Sequence, residues 1–119
     1  MFMMKGLIDT YNKNVADMQL NYLFGNNATG YCFLTEFGTV YSDHPHHRPS
    51  QAKGVTVPGM LVGGPNSGLN DPYVQNVLSA SHASKCYADN AQSYSTNEIT
   101  IYWNSPLIYL LAAEIHETN

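Results

Sequence analysis

Charge is what this chain has least of. Asp, Glu, Lys and Arg make up 12% of its 119 residues, well under the quarter typical of globular domains. Lys and Arg number five, are scattered, and leave a net charge of −4. No basic surface is available to attract nucleic acid or anionic lipid. Cysteine is also scarce. Cys32 and Cys86 are the only two, which is no disulfide framework, and spacing leaves open whether they pair. No apolar run reaches the roughly 20 residues that span a bilayer. The opening residues Met1 to Lys5 are too short for a signal peptide and run directly into a helical pattern. Internal repeats and low-complexity tracts are missing. So is a Gly-x-Ser-x-Gly elbow. The glycine-rich run from Pro58 to Gly68 lacks the Gly-Lys-Ser/Thr ending of a phosphate cradle, so it reads as a tight loop that lets backbone approach another element or a ligand.

Tyrosine is plentiful, at nine residues. A surface rich in tyrosine and poor in charge suits sugars, whose C–H faces pack on rings while their hydroxyls take hydrogen bonds. The length allows one domain or part of one.

Met4, Leu7, Ile8, Tyr11, Val15, Met18 and Tyr22 recur at three- and four-residue steps, which predicts an amphipathic helix over about 4–24. Gly25, Asn26 and Asn27 end it. Long loops follow over about 25–96, with a short extended segment near Tyr31 to Tyr41. Within them, Asp71 as N-cap and Pro72 at the first position predict a short helix over 72–84. The last helix has two possible starts. Ser105 can cap it with Pro106 at the first position, or it can begin near Ser95 with a kink at Pro106. The first is preferred, over about 105–116, because an interior proline costs roughly 3 kcal/mol. That helix is apolar nearly all round and expects neighbours on most sides. One amphipathic helix cannot supply them. The chain therefore reads as all-α, and as a piece of something larger or a chain that associates.

The chemistry centres on Glu98. A glycosidase needs one carboxylic acid to protonate the departing oxygen and a carboxylate on the other face of the sugar. Tyr94, Tyr102 and Trp103 flank Glu98 and can desolvate it, which would raise its pKa. Asp89, nine residues earlier, can add like-charge pressure or fix loop geometry through backbone hydrogen bonds. On spacing alone, a plainer reading is that Ser95 and Glu98 form a capping box. In the His44 to Arg48 segment, His46 and Arg48 share a face if the backbone is extended. They can bind sugar hydroxyls. His44, His46 and His47 can instead hold a metal, as can His82 with Cys86, though neither set has a zinc spacing. An ordinary polar loop is the plainest alternative.

Taken together, these residues resemble family 9 glycoside hydrolases, the inverting cellulases. One signature is matched by Tyr87, Asp89, Tyr94, Glu98, Thr100, Asn104 and Ser105. Another is matched by Thr35, Gly38, Pro45, His46 and Arg48. The loop from Val57 to Gly68 and the segment Tyr22 to Asn26 are also similar, so the resemblance covers essentially the whole chain. It implies an (α/α)6 barrel, of which this chain would be the C-terminal segment. It implies Glu98 as general acid, Asp89 supporting that site, His46 and Arg48 holding sugar hydroxyls, and Tyr94 and Tyr102 lining the cleft. Trp103 reads as core. Cys32, Glu36, Val40 and Tyr102 depart from the family pattern, with Glu36 in place of a common glycine. They put subsite details in question.

The resemblance further implies a β-1,4-glucan substrate, a secreted parent enzyme, and a water-activating aspartate pair far upstream. No Asp-Ala-Gly-Asp-like segment occurs here, so the chain is expected to be inactive alone and to need the N-terminal part of the domain as its partner. Calcium sites of the family commonly lie upstream too, and no metal or cofactor is assigned here. A second reading is a non-catalytic glucan-binding or barrel-complementing module. A third is a small metal-binding redox or hydrolytic protein built on the histidines.

Overall fold

The computed structural model describes residues 13–117. The first part of the expected N-terminal helix, through residue 12, lies outside them. Among the described residues the architecture is helical. Its elements are α1 (Lys13–Leu23), α2 (Arg48–Lys53), α3 (Pro72–Val77), a 3-10 turn (Ala83–Lys85), α4 (Tyr94–Asn97) and α5 (Ile101–Glu117). Extended segments meet only as single bridges: Cys32 with Tyr41, Leu34 with Leu61, Val62 with Ile99, and His46 with Glu98.

The helix α1 buries a different face from the one its apolar spacing suggests. Ala16 and Leu20 point inward, and Leu23 packs beside them, while Val15, Met18 and Tyr22 are exposed. The partner decides this. α1 meets α5, and Leu20 and Leu23 share one apolar cluster with Leu107, Leu110 and Leu111. Lys13 reinforces the contact from outside, reaching Glu114 at 2.7 Å and Asp17 at 3.2 Å. Both carboxylates push the Lys13 ammonium above its ordinary range. The helix stops at Leu23, and Gly25 takes φ +113, which only glycine adopts freely.

The last helix begins at Ile101, earlier than Ser105, and Pro106 lies inside it. Tertiary anchoring overrides the proline cost. Asn104 donates from Nδ2 to the Leu61 and Thr100 carbonyls at 2.9 and 2.7 Å, and its Oδ1 accepts from the Leu61 amide at 2.8 Å. Trp103 Nε1 donates to the same Leu61 carbonyl at 2.8 Å. The first turn is thus pinned before the proline is reached.

Two short helices, α2 and α4, occupy stretches expected as loop. At six and four residues they are too short to show a helical period. α3 carries the Asp71 cap and Pro72 start but ends at Val77, well before residue 84, where Leu78 turns extended.

The apolar core gathers around Phe33, with Tyr87 edge-on at 5.0 Å and Tyr31 edge-on to Tyr87 at 5.2 Å. Cys32 and Cys86 are both buried and free, and burial raises the Cys32 thiol. Beside this core lies a polar one built on Asp71. Its carboxylate is fully buried and accepts from the Val74 amide (2.9 Å), the Ser95 amide (3.0 Å), the Ser95 hydroxyl (2.5 Å) and the Ser93 hydroxyl (3.2 Å). Burial pushes its pKa up, but the hydrogen bonds outweigh burial and hold it below the ordinary carboxylate range.

Asp71→Ala would leave those buried donors unpaired and is expected to lower the unfolding free energy by about 3 kcal/mol or more, read as a lower urea midpoint. Because the folded pKa is depressed, the stabilisation is present above about pH 4. It is lost as pH falls through the folded value. The urea midpoint of the parent chain should fall over that acid window, and Asp71→Asn should lack this portion of the fall.

Candidate functional site

The glycine loop and the end of α4 make the platform. Gly63 donates its amide to the Glu98 carbonyl at 3.1 Å, and Gly64 donates to the Thr96 carbonyl at 2.8 Å. Glu98 follows α4 with extended backbone (φ −74, ψ 145). It bridges in parallel to His46, whose amide donates to the Asn97 carbonyl at 2.8 Å. Bridge partners stand side by side on a pleat, so His46 and Glu98 share a face.

This geometry excludes the capping box. Ser95 lies inside α4 and its hydroxyl serves Asp71, while Glu98 sits at the helix C-terminus. The flanking aromatics do not bury Glu98 in the described structure. Its carboxyl is exposed and makes no hydrogen bond or ion pair among the described residues. Tyr102 is 83% exposed on the first turn of α5. Trp103 turns inward against the core.

Asp89 fixes loop geometry. Its side chain is 11% exposed. It accepts from the Asp43 amide (3.0 Å), the His44 amide (2.9 Å), Asn97 Nδ2 (3.1 Å) and Ser42 Oγ (3.3 Å), and His44 Nδ1 lies at 3.4 Å. It therefore clamps the segment leading into His46 against the end of α4.

The His46 ring is held on two sides. Nδ1 lies 2.6 Å from the Ala91 carbonyl. A carbonyl only accepts, so Nδ1 carries the proton and Nε2 is the nitrogen left for another partner. Tyr94 meets the ring edge-on at 6.0 Å, and its hydroxyl donates to the Asn70 carbonyl at 3.0 Å. His47 is the extended N-cap of α2, and its Nδ1 meets Ser50 Oγ at 2.8 Å. Arg48 opens α2, so the extended alternation runs only as far as His47. Its side chain is exposed and unpaired among the described residues.

The histidines do not converge on a metal. His44 turns to Asp89, His46 to Ala91 and His47 to Ser50. The Cys86 thiol donates to the Ser79 and His82 carbonyls, away from any metal pairing with the His82 ring. Among the described residues, no group of three or more His, Cys, Asp or Glu is disposed to hold a metal ion. Beside the His46 loop lies an open cleft of about 430 Å³, lined by Glu36, Asp43, His44, Gln51, Thr56 and Ala91 among others. Glu36 sits there at φ +55, a conformation that suits glycine better than a residue with a Cβ.

Sequence reasoning passed over Asn97, which is fully buried at the crossing of the loops. The only signal was its place next to Glu98.

Comparison with known proteins places the chain in a family. The sequence profile described as glycosyl hydrolase family 9 matches residues 3–111. A xyloglucan-specific endo-beta-1,4-glucanase, BoGH9A of Bacteroides ovatus, is 39% identical over 107 residues, covering 88% of this chain and 18% of that protein. A cellodextrinase of Butyrivibrio fibrisolvens is 41% identical over 96 residues, covering 78% of this chain and 18% of its own length. A single mutant of a thermostable endoglucanase from Alicyclobacillus acidocaldarius superposes with a TM-score of 0.81 at 48% identity, covering 84% of this chain and 19% of that one. This chain thus spans about a fifth of the length of these relatives. The profile match across nearly the whole sequence and the identity to these relatives lead to one conclusion: the chain belongs to glycosyl hydrolase family 9.

Proposed function

We propose that this chain is the C-terminal part of an (α/α)6-barrel catalytic domain that hydrolyses internal β-1,4 bonds of cellulose or a related β-glucan with inversion. The observation that carries the reading is the backbone bridge between His46 and Glu98. It brings together two signature segments more than fifty residues apart in sequence. The names of the relatives, endoglucanases and a cellodextrinase, support the substrate class.

In this reading Glu98 is the general acid. It hands a proton to the departing glycosidic oxygen as the C–O bond breaks. Water adds from the opposite face and gives its proton to a carboxylate about 6.5–9.5 Å away. That carboxylate belongs to a segment outside this chain. His46 Nε2 and the Arg48 guanidinium meet sugar hydroxyls near the cleavage point. Asp89 holds the His46 loop in place. Tyr94 is anchored through its hydroxyl with its ring against His46, and it and Tyr102 line the substrate path of the complete domain. The rest of the domain covers Glu98, desolvating it so that it stays protonated near neutral pH. The parent enzyme is secreted.

A second reading, a glucan-binding or barrel-complementing module without catalysis of its own, draws on the apolar side chains left exposed. Met18, Ile101, Ile108 and Ile115 all face outward. An uncovered surface of that kind marks an interaction face.

The purified chain is expected to release no reducing sugar from carboxymethylcellulose. Robust release would refute the missing-base account. On size exclusion the chain should self-associate, and a monomer without affinity for cello-oligosaccharides would count against both binding and complementation. For the acid, the chain can replace the corresponding C-terminal fifth of the Alicyclobacillus endoglucanase. Glu98→Gln in that chimera should lower kcat on cellulose by about 10²- to 10⁴-fold. The loss should be far smaller on an aryl cellobioside whose leaving group needs no protonation. Equal losses on both substrates would remove Glu98 from the general-acid role.

A further inference from the structure

Asn97 is 0% exposed and uses every hydrogen-bonding position of its carboxamide. Oδ1 receives Ser42 Oγ at 2.9 Å and the Tyr87 hydroxyl at 2.7 Å. Nδ2 donates to the His44 carbonyl at 2.7 Å and to Asp89 Oδ1 at 3.1 Å. Its main chain adds two more bonds: the amide donates to the Ser93 carbonyl at 2.9 Å, and the carbonyl accepts from His46 at 2.8 Å. One residue therefore touches α4, the 42–46 loop, Tyr87 and Asp89 together. Asn97 closes α4 with its side chain buried, and the backbone turns extended at Glu98, which is exposed.

The amide has one workable orientation. A carbonyl and a carboxylate can only accept, so the NH₂ end must face His44 and Asp89. The oxygen then faces two hydroxyls. Burial holds the Tyr87 phenol well above its ordinary range, so it remains a donor. The four bonds fix the loop against α4 in one register.

We propose that Asn97 is the positioning residue of this site, its buried carboxamide setting the register in which the His46 loop lies beside Glu98. Its importance at an acid rests on the reading of Glu98 given above, whereas the register itself does not. Asp89 grips the loop at its 43 and 44 amides. Asn97 reaches two residues further, its main-chain carbonyl accepting from the amide of His46 itself.

The isosteric change Asn97→Asp makes the idea testable. It puts an oxygen where the NH₂ stood, facing the His44 carbonyl and the Asp89 carboxylate. Two carboxylates about 3 Å apart repel, and on acidification they share a proton. The shared proton restores a donor between them. The other titratable groups facing this point are the His44 ring, 3.4 Å from Asp89, and the Tyr87 phenol.

The experiment uses the ¹⁵N-labelled full chain and two readouts. One is hydrogen-exchange protection of the His46 amide, compared with the Val62 amide, which donates to the Phe33 carbonyl in the core. The other is the His46 ring tautomer at pH 8. In the parent chain His46 should show the Nδ1–H form. Asn97→Asp at pH 8 should lose roughly tenfold or more of His46 protection while Val62 is unchanged, and its ring should become a tautomer mixture. Protection should return at pH 5. Asn97→Ala should lose protection at both pH values. The proposal is overturned if Asn97→Ala leaves His46 unchanged or if Asn97→Asp gains nothing at pH 5. It is also overturned if Val62 loses protection in step with His46, which would make Asn97 a general core residue. Neither readout involves hydrolysis, so their failure would leave the acid assignment standing. A failed hydrolysis assay would likewise leave the register intact.

Discussion

A buried amide and an almost buried carboxylate hold this molecule in its working shape. Asn97 and Asp89 meet at 3.1 Å, and between them they take up the amides of residues 43, 44 and 46, the His44 carbonyl, and the Ser42 and Tyr87 hydroxyls. These groups come from segments with no regular ladder to bind them. Away from water, an unpaired member would cost more than the bond returns. The network is therefore complete or costly, and completeness fixes the path of the loop. Along that path His46 lies next to Glu98.

The same logic runs through the rest of the fold. Asp71 closes a second polar knot that ties α3 to α4. Asn104 closes a third, between α5 and Leu61. The apolar core around Phe33 supplies burial, but buried apolar contacts tolerate sliding. Direction comes from the polar knots. Meanwhile, among the described side chains of α5, Leu107 is the buried one, and Ile101, Ile108 and Ile115 are exposed. Glu98 is uncovered in the same way. Under the proposed function both are explained at once, since a larger domain would cover the apolar helix and desolvate the acid.

Much of this was legible one residue at a time. Asp71 followed by Pro72 announced a helix start, and Gly25 announced a stop. The spacing of Asp89 and Glu98, with His46 and Arg48 upstream, was enough to suggest a family. Other features were not. Apolar spacing in α1 picked out Val15, Met18 and Tyr22, yet Ala16 and Leu20 face the core. Small and large side chains compete for that face, and the shape of α5 decides between them. Pro106 argued for a late helix start, yet bonds from Trp103 and Asn104 to Leu61, some forty residues away in sequence, start it earlier. The Ser95 and Glu98 pair fitted a capping box until Asp71 claimed the serine.

Local chemistry alone settled where turns and caps could form, which side chains could move a proton, and how little charge the chain carries. These follow from the conformational and ionic preferences of single residues and their near neighbours. Folding in three dimensions chose the buried face of α1, the first turn of α5, the tautomer of His46 and the central place of Asn97. Each of those depends on which distant donor or acceptor stands opposite. A buried polar group accepts only the partner that satisfies it, and that partner is known only once the chain has folded.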